Sequence, residues 1–239
     1  MTATPNANYS FGSWTEGSVV VSTSAGYNFT LNNNRSLVAN FATADTSLKI
    51  DSVSPPVGQI QGGQQVTLRG SFNNLSSVVI GGNAAPINSG SATQVTVTTP
   101  AHAAGAVGIV LVPASGNTYS KSNAFAYLPT SFTDDPLTAG VTRAKAQHVV
   151  ELRQAVDAMR AVAGLPQAQL TDPILVSFMT PVRAAHVNEV RTYLEEAAAG
   201  LGYAKATYTD PNLGGSSVVR AVHIEELSQR IKILAVGRF

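Results

Sequence analysis

The sequence predicts a multidomain chain in which all-β N-terminal modules precede an all-α helical domain of three repeats. Three observations carry this expectation. Up to about residue 130, short runs of Val, Thr, Ile and Phe alternate with Gly, Asn and Ser clusters, as in VTLRGSF, SSVVIGG and QVTVTTP, the pattern of short antiparallel strands. Beyond it, Ala, Leu, Glu and Arg recur at helical spacing. Charge changes with the texture: residues 1–130 hold only Glu16, Arg35, Asp45, Lys49, Asp51, Arg69 and Lys121, whereas the remainder holds 11 basic and 11 acidic side chains. A chain of 239 residues exceeds one ordinary domain. The boundaries are placed at 1–45, 46–129 and 130–239, and each module buries its own modest core.

Composition excludes several functions. Hydrophobic residues make up 44% and charged residues 12%, which rules out compositional disorder and fits a secreted protein better than a cytosolic one. A net charge of +1 with no Lys/Arg run argues against nucleic-acid and anionic-membrane binding. Without cysteine there is no disulfide, thiolate metal site or Cys nucleophile. No apolar stretch approaches the ~18 residues of a membrane span. The polar opening MTATPNANYS lacks the basic and apolar regions of a signal peptide, so an exported parent would carry its signal upstream, with Met1 supplied as a start. No nucleophile elbow, His-Glu-x-x-His helix or phosphate loop occurs, so no catalytic residue and no cofactor is assigned.

In the first module, ATPNANYSF, the Gly12, Ser13, Trp14 segment and the closing NNNRSLVANF resemble the divergent internalin-type B repeat of bacterial surface proteins. The resemblance implies a small β-rich spacer or adhesive unit, although the strands that usually precede ATPN are missing. Trp14 and Tyr27 are candidates for a sugar-stacking platform, with core packing the preferred reading. In the second module, IDSVSPPVGQIQGGQQVTLRGSF places Pro55 and Pro56 at a strand end and Gly62 and Gly63 in a turn before VTLRG. SSVVIGGNAAPI reads as a hairpin, TQVTVTTP as a strand, and GIVLVPASG with AFAYL as a last pair. This order is similar to the immunoglobulin-like IPT/TIG module, which implies a β-sandwich of about seven strands serving as spacer or accessory. His102 reads as a solvated loop residue.

The third module repeats itself. FTDDPL begins at Phe132, LTDPIL at Leu170 and YTDPNL at Tyr208, and His148, His186 and His223 follow at equivalent places. Asp135, Asp172 and Asp210 precede proline and are expected to cap short helices. Thr142, Thr180 and Ser217 are expected to cap long ones, with Pro181 at the first position of the second, while Gly164 and Gly200 end the first two. His148 with Glu151, His186 with Glu189 and His223 with Glu226 form His-x-x-Glu pairs, a pattern that binds metal in helix bundles. At 100° per residue, however, each His centres a buried stripe: Leu152, Ala155 and Met159 for the first, Val190, Tyr193 and Ala197 for the second, Leu227 and Leu234 for the third. Packing is therefore preferred, with the ring nitrogens meeting a backbone carbonyl or a Thr-Asp turn.

FTDD and VTRAKA are also similar to S-layer homology repeats, though the spacing is shorter and the later copies read TPVRAA and SVVRAV. That likeness implies cell-wall polysaccharide in grooves between repeats, with Arg143, Arg183 and Arg220 as contacts; Arg183 and Arg220 align with Lys145, whereas Arg143 stands two residues earlier.

The expected function is a non-catalytic structural or adhesive segment of an extracellular or cell-surface bacterial protein. Its partners are other domains of a longer parent chain, with cell-wall polysaccharide or self-assembly through strand edges as further ones. The alternatives are a carbohydrate-binding accessory module and a metal-dependent enzyme fragment.

Overall fold

A computed structural model describes residues 1–6, 9–43, 47–176 and 179–237. The expected 45/46 boundary lies outside the described residues. Two compact units result, Met1–Ser47 and Leu48–Phe239.

In the first unit, β1 (Tyr9–Glu16), β2 (Val19–Ser22) and β3 (Leu37–Thr43) form an antiparallel sheet of order β2-β1-β3. Gly17, at φ +60°, supplies the left-handed position of the β1–β2 turn. Trp14 is only 6% exposed; its indole N–H donates to the Ala25 carbonyl at 3.2 Å and its ring lies 5.8 Å from Phe11. It is core, not a sugar platform. Arg35 forms an ion pair with Glu16 at 2.7 Å and lies over the Phe29 ring at 4.6 Å.

In the second unit, a four-stranded sheet and a five-stranded sheet make a sandwich. The first has the order β4-β6-β10-β9, from Lys49–Ser54, Gln65–Ser71, Gln94–Thr98 and Ile87–Gly90. The second has the order β5-β12-β11-β7-β8, from Val57–Gln59, Tyr119–Leu128, Gly105–Pro113, Leu75–Ile80 and Asn83–Ala85. All pairs are antiparallel except β5 with β12. Period-2 alternation points Val66, Leu68, Val95 and Val97 at Val78, Ile80, Ile109 and Leu111, all 2% exposed or less. The sandwich has nine strands among the described residues, where sequence alone indicated about seven; the three-residue β5 and β8 are too short to show periodicity. His102 differs from expectation as well. Its ring stacks on Tyr127 at 5.0 Å, and the Tyr127 hydroxyl donates to the Pro100 carbonyl at 2.8 Å, with burial pushing that hydroxyl up to about 12.

Strand β12 explains how the helices attach. Residues 124–128 are all buried, yet they belong to two clusters: Phe125 and Tyr127 face the sandwich interior, while Ala126 and Leu128 join Val57 against the helices. A strand covered on both faces reads as an unbroken apolar run, and AFAYL is one. The helices α1 (Ala146–Val162), α2 (Ala184–Gly200) and α3 (Ala221–Val236) thus share their core cluster with the sandwich, and α1 and α3 lie against the β5–β12 side. The chain is mainly β-sheet with three helices near its C-terminal end.

Candidate functional site: three clamped turns at the helix starts

The N-cap of each helix lies three residues before its histidine, at Lys145, Arg183 and Arg220, rather than at Thr142, Thr180 and Ser217. Those hydroxyls instead accept backbone N–H groups of Thr138, Val176 and Gly214, closing a turn ahead of the helix. Pro181 lies in the same approach, outside the helix. The histidines occupy N3, where a glutamate or glutamine commonly reaches back to cap the helix. Here imidazole does so: Nδ1 of His148, His186 and His223 accepts the backbone N–H of Lys145, Arg183 and Arg220, each at 3.2 Å.

That acceptance fixes the tautomer. A backbone N–H can only donate, so Nδ1 carries the lone pair and Nε2 carries the proton. The Nε2–H donates to Oδ2 of Asp134, Asp172 and Asp210, at 3.0 Å in all three copies. These aspartates sit in the left-handed region at φ 55°, 49° and 49°, a conformation short polar side chains tolerate. The segments around them are turns and bends, so the short helices expected there do not form. In the first copy the repeat residue is Asp134, not Asp135; the latter pairs with Lys232 of α3 at 2.5 Å.

The glutamates of the His-x-x-Glu pairs turn to the same loops. Glu151, Glu189 and Glu226 accept the backbone N–H of Thr133, Thr171 and Thr209 at 2.9, 2.8 and 3.1 Å, and Glu151 and Glu226 also take the threonine hydroxyls. A cation completes each turn: Lys145 lies 2.6 Å from Asp134 and Arg183 3.2 Å from Asp172, while Arg220 pairs with Asp210. Lys145 and then His148 hold the Asp134 carboxyl below its ordinary range, and His223 and then Arg220 do the same for Asp210. Burial pushes the Glu151 carboxyl up, but the hydrogen bonds from Thr133 and Gln147 bring it below its ordinary value.

The histidines are 2%, 0% and 0% exposed, and both nitrogens of each are engaged. A metal could be bound only by displacing either the helix cap or the aspartate. Among the described residues no group of three or more His, Asp or Glu side chains is placed to hold one.

The arginine candidates separate. Arg183 and Arg220 are engaged by their aspartates, with about half of each side chain exposed. Arg143 and Arg220 share a cleft of about 570 Å³ at the helix starts, and Arg143 also borders a second of about 640 Å³ with Lys145, Met179 and Val182.

Sequence reading missed the residues that join one repeat to the next. Arg153, buried in α1, donates to the carbonyls of Asp172 and Thr171 at 2.9 and 3.0 Å and to Glu189 at 3.1 Å. Arg191 of α2 repeats this on Asp210 and Thr209 at 2.9 and 2.8 Å. Both stand five residues after the histidine, a register visible in the sequence. In α3 that register holds Ser228, whose hydroxyl bonds to Ile224 of its own helix. Contact from α3 back to the first repeat comes instead from Glu225, which accepts the Leu137 N–H at 2.9 Å, and from Lys232. The helix ends follow left-handed glycines: Gly164 after α1, as expected, and Gly202 after α2, where Gly200 is still helical.

Residues 48–127 match the family model of the IPT/TIG domain, and residues 1–45 that of the divergent InlB B-repeat domain. No curated protein matches the chain. Among solved structures, similarity extends to the full extracellular region of plexin A4 (15% identity, TM-score 0.33, covering 52% of this chain and 10% of that one). It extends also to the TIG domain of human nuclear factor of activated T-cells, cytoplasmic 4 (20%, TM-score 0.29, 36% and 91%). A third is the SGBP-B protein of a Bacteroides ovatus mixed-linkage glucan utilization locus, solved with a mixed-linkage heptasaccharide (15%, TM-score 0.26, 51% and 38%). The chain thus spans a tenth of the plexin and under two-fifths of SGBP-B. No helix among the described residues is long and apolar enough to cross a membrane. Residues 48–127 are an IPT/TIG domain, preceded by a divergent InlB B-repeat.

Proposed function

We propose that the chain is a non-catalytic structural and adhesive segment of an extracellular bacterial surface protein, in which residues 130–239 form a threefold helical repeat docked on the immunoglobulin-like sandwich. One observation carries this reading: the groups that could perform chemistry in the repeat, three histidines and three glutamates, are spent on capping helices and clamping turns. A buried imidazole with both nitrogens bonded is a poor general base, and a carboxylate bonded to its own loop is a poor metal ligand. The two β-module families supply the surface context.

Protease shaving of intact producing cells tests the location. Release of peptides from 130–239 without lysis is expected; complete protection until lysis contradicts it. A second reading, a polysaccharide-binding accessory, is favoured by the clefts beside Arg143 and Arg220. Sedimentation with isolated cell walls tests it, binding being expected to weaken when both arginines are replaced by alanine.

A further inference from the structure

The two junctions between repeats are built from the same register but are not filled alike. At the second junction, Tyr208 lies under Arg191, its ring centre 5.0 Å from the guanidinium, and its hydroxyl donates to Glu195 at 2.6 Å. Glu195 also accepts the Ala206 N–H at 2.9 Å. At the first junction the corresponding residues are Arg153, Asp157 and Leu170. The carboxylate is one carbon shorter, and leucine brings neither ring nor hydroxyl. A cleft of about 470 Å³ opens there, lined by Arg153, Gln154, Asp157, Gln167, Leu170 and Pro173, inside the roughly 300–1,000 Å³ usual for small-ligand sites.

One polar group of this cleft, Asp157, lacks the hydroxyl that Tyr208 gives its counterpart Glu195. Arg153 is 6% exposed with both terminal nitrogens engaged, and its buried Nε–H makes no hydrogen bond, as is also true of Arg191 at the second junction, so the arginine does not distinguish the two. Asp157 is half-buried, and burial pushes its carboxyl up against the opposing pull of Arg160 and Arg153. The cleft is nevertheless a fixed shape. The Tyr193 hydroxyl donates to the Gln169 carbonyl at 2.8 Å and accepts its N–H at 3.2 Å, and Arg160 Nε donates to the Pro166 carbonyl at 3.0 Å. The Asp157 carboxylate of α1 thus lines a cleft with a fixed loop opposite, exposed glutamine amides on the rim and Leu170 and Pro173 as an apolar wall.

We infer that this cleft is a subsite for one neutral sugar ring of a polysaccharide, whose hydroxyl takes the place that the Tyr208 hydroxyl holds at the second junction. The hydroxyl donates to Asp157. The glutamines pair with further hydroxyls, while the C–H face of the sugar packs on Leu170 and Pro173. A charged sugar is disfavoured because Arg153 is already balanced by Glu189. The inference rests on the non-catalytic reading of the repeat, and the site lies apart from Arg143 and Arg220.

The test is titration of the ¹⁵N-labelled full chain with neutral hexasaccharides of glucose, xylose, mannose and N-acetylglucosamine, and with N-acetyltyrosinamide as a phenol. At least one saccharide is expected to shift the amides of Gln154, Asp157 and Gln169. The double variant Leu170→Tyr/Asp157→Glu copies the second junction; it is expected to melt no lower than the parent and to bind at least tenfold more weakly. Gln154→Ala, an exposed change, is expected to weaken binding severalfold whatever the double variant does. The inference is overturned if no saccharide moves these amides, if the filled variant folds and binds equally well, or if only the phenol occupies the cleft. Shifts confined to the helix starts near Arg143 and Arg220 would overturn this site and leave the polysaccharide-binding reading standing.

Discussion

The sandwich and the helical layer share one compact unit and both bury apolar clusters, but they differ in their buried polar bonds. Of the buried polar side chains among the described residues, only Thr99 lies in the sandwich; His148, Arg153, Arg160, His186, Arg191, Glu195, His223 and Ser228 all lie in the helices. The sandwich closes by burying apolar faces whose spacing specifies which side faces in, a force proportional to area and indifferent to direction. Three helices of 16 or 17 residues bury apolar stripes as well, and directional bonds from His, Glu and Arg to the preceding and following turns add to what sets their register. Area gives the first region its stability; bond geometry gives the second its uniqueness.

This contrast orders the expected effects of substitution. The largest belongs to the sandwich: Phe125→Ala removes a ring that is wholly buried between the sheets, and a loss of about 3–5 kcal/mol is expected in urea unfolding. Next is His186→Ala, which leaves a backbone N–H and an aspartate without partners and creates a small cavity. A loss of roughly 2–4 kcal/mol is expected, and it should not be recovered by His186→Phe, since the phenyl ring restores volume without either bond. If phenylalanine restores stability fully, the clamp is packing and not hydrogen bonding.

Acid should separate the regions further. The Asp134 and Asp210 carboxyls lie below their ordinary value in the folded state, so their contribution is present above that value, near 3.8, and is lost as pH falls through the folded pKa. The sandwich core contains no such group. Circular dichroism between pH 5 and 2 is expected to lose helical signal before the β signal, and simultaneous loss would count against two modes of stabilisation. The smallest effect is expected for Ser228→Ala, which removes only a hydroxyl bonded to the Ile224 carbonyl of its own helix; a change in melting temperature of no more than a degree or two is anticipated, because Glu225 and Lys232 join α3 to the first repeat.

The same contrast decides what could be read without coordinates. The strands VTLRGSF and QVTVTTP alternate cleanly because one face is wet, and their elements follow directly. The threefold recurrence of Thr-Asp and His is visible by self-comparison, and the angular position of the histidines indicates burial. What could not be read is the direction of the bonds. Sequence places Thr142 where a cap belongs by residue type, yet the cap is an imidazole three residues inside the helix, an unusual use of N3. In FTDDPL two adjacent aspartates compete for one role, and only the turn conformation selects Asp134. The docking of helices on β12 was hidden in plain composition: AFAYL is too short a run to distinguish burial on both faces from a strand with one apolar side. The open first junction is invisible until Leu170 and Asp157 are set beside Tyr208 and Glu195 in three dimensions.

The central claim is that the repeated histidines are architectural, neutral and locked in a single tautomer. Long-range ¹H–¹⁵N correlation of the imidazole rings at neutral pH measures this directly. His148, His186 and His223 should each show a protonated Nε2 and an unprotonated acceptor Nδ1, with spectra unchanged by added zinc or manganese. Protonated Nδ1 signals, or signals that shift or broaden with stoichiometric metal, would contradict it.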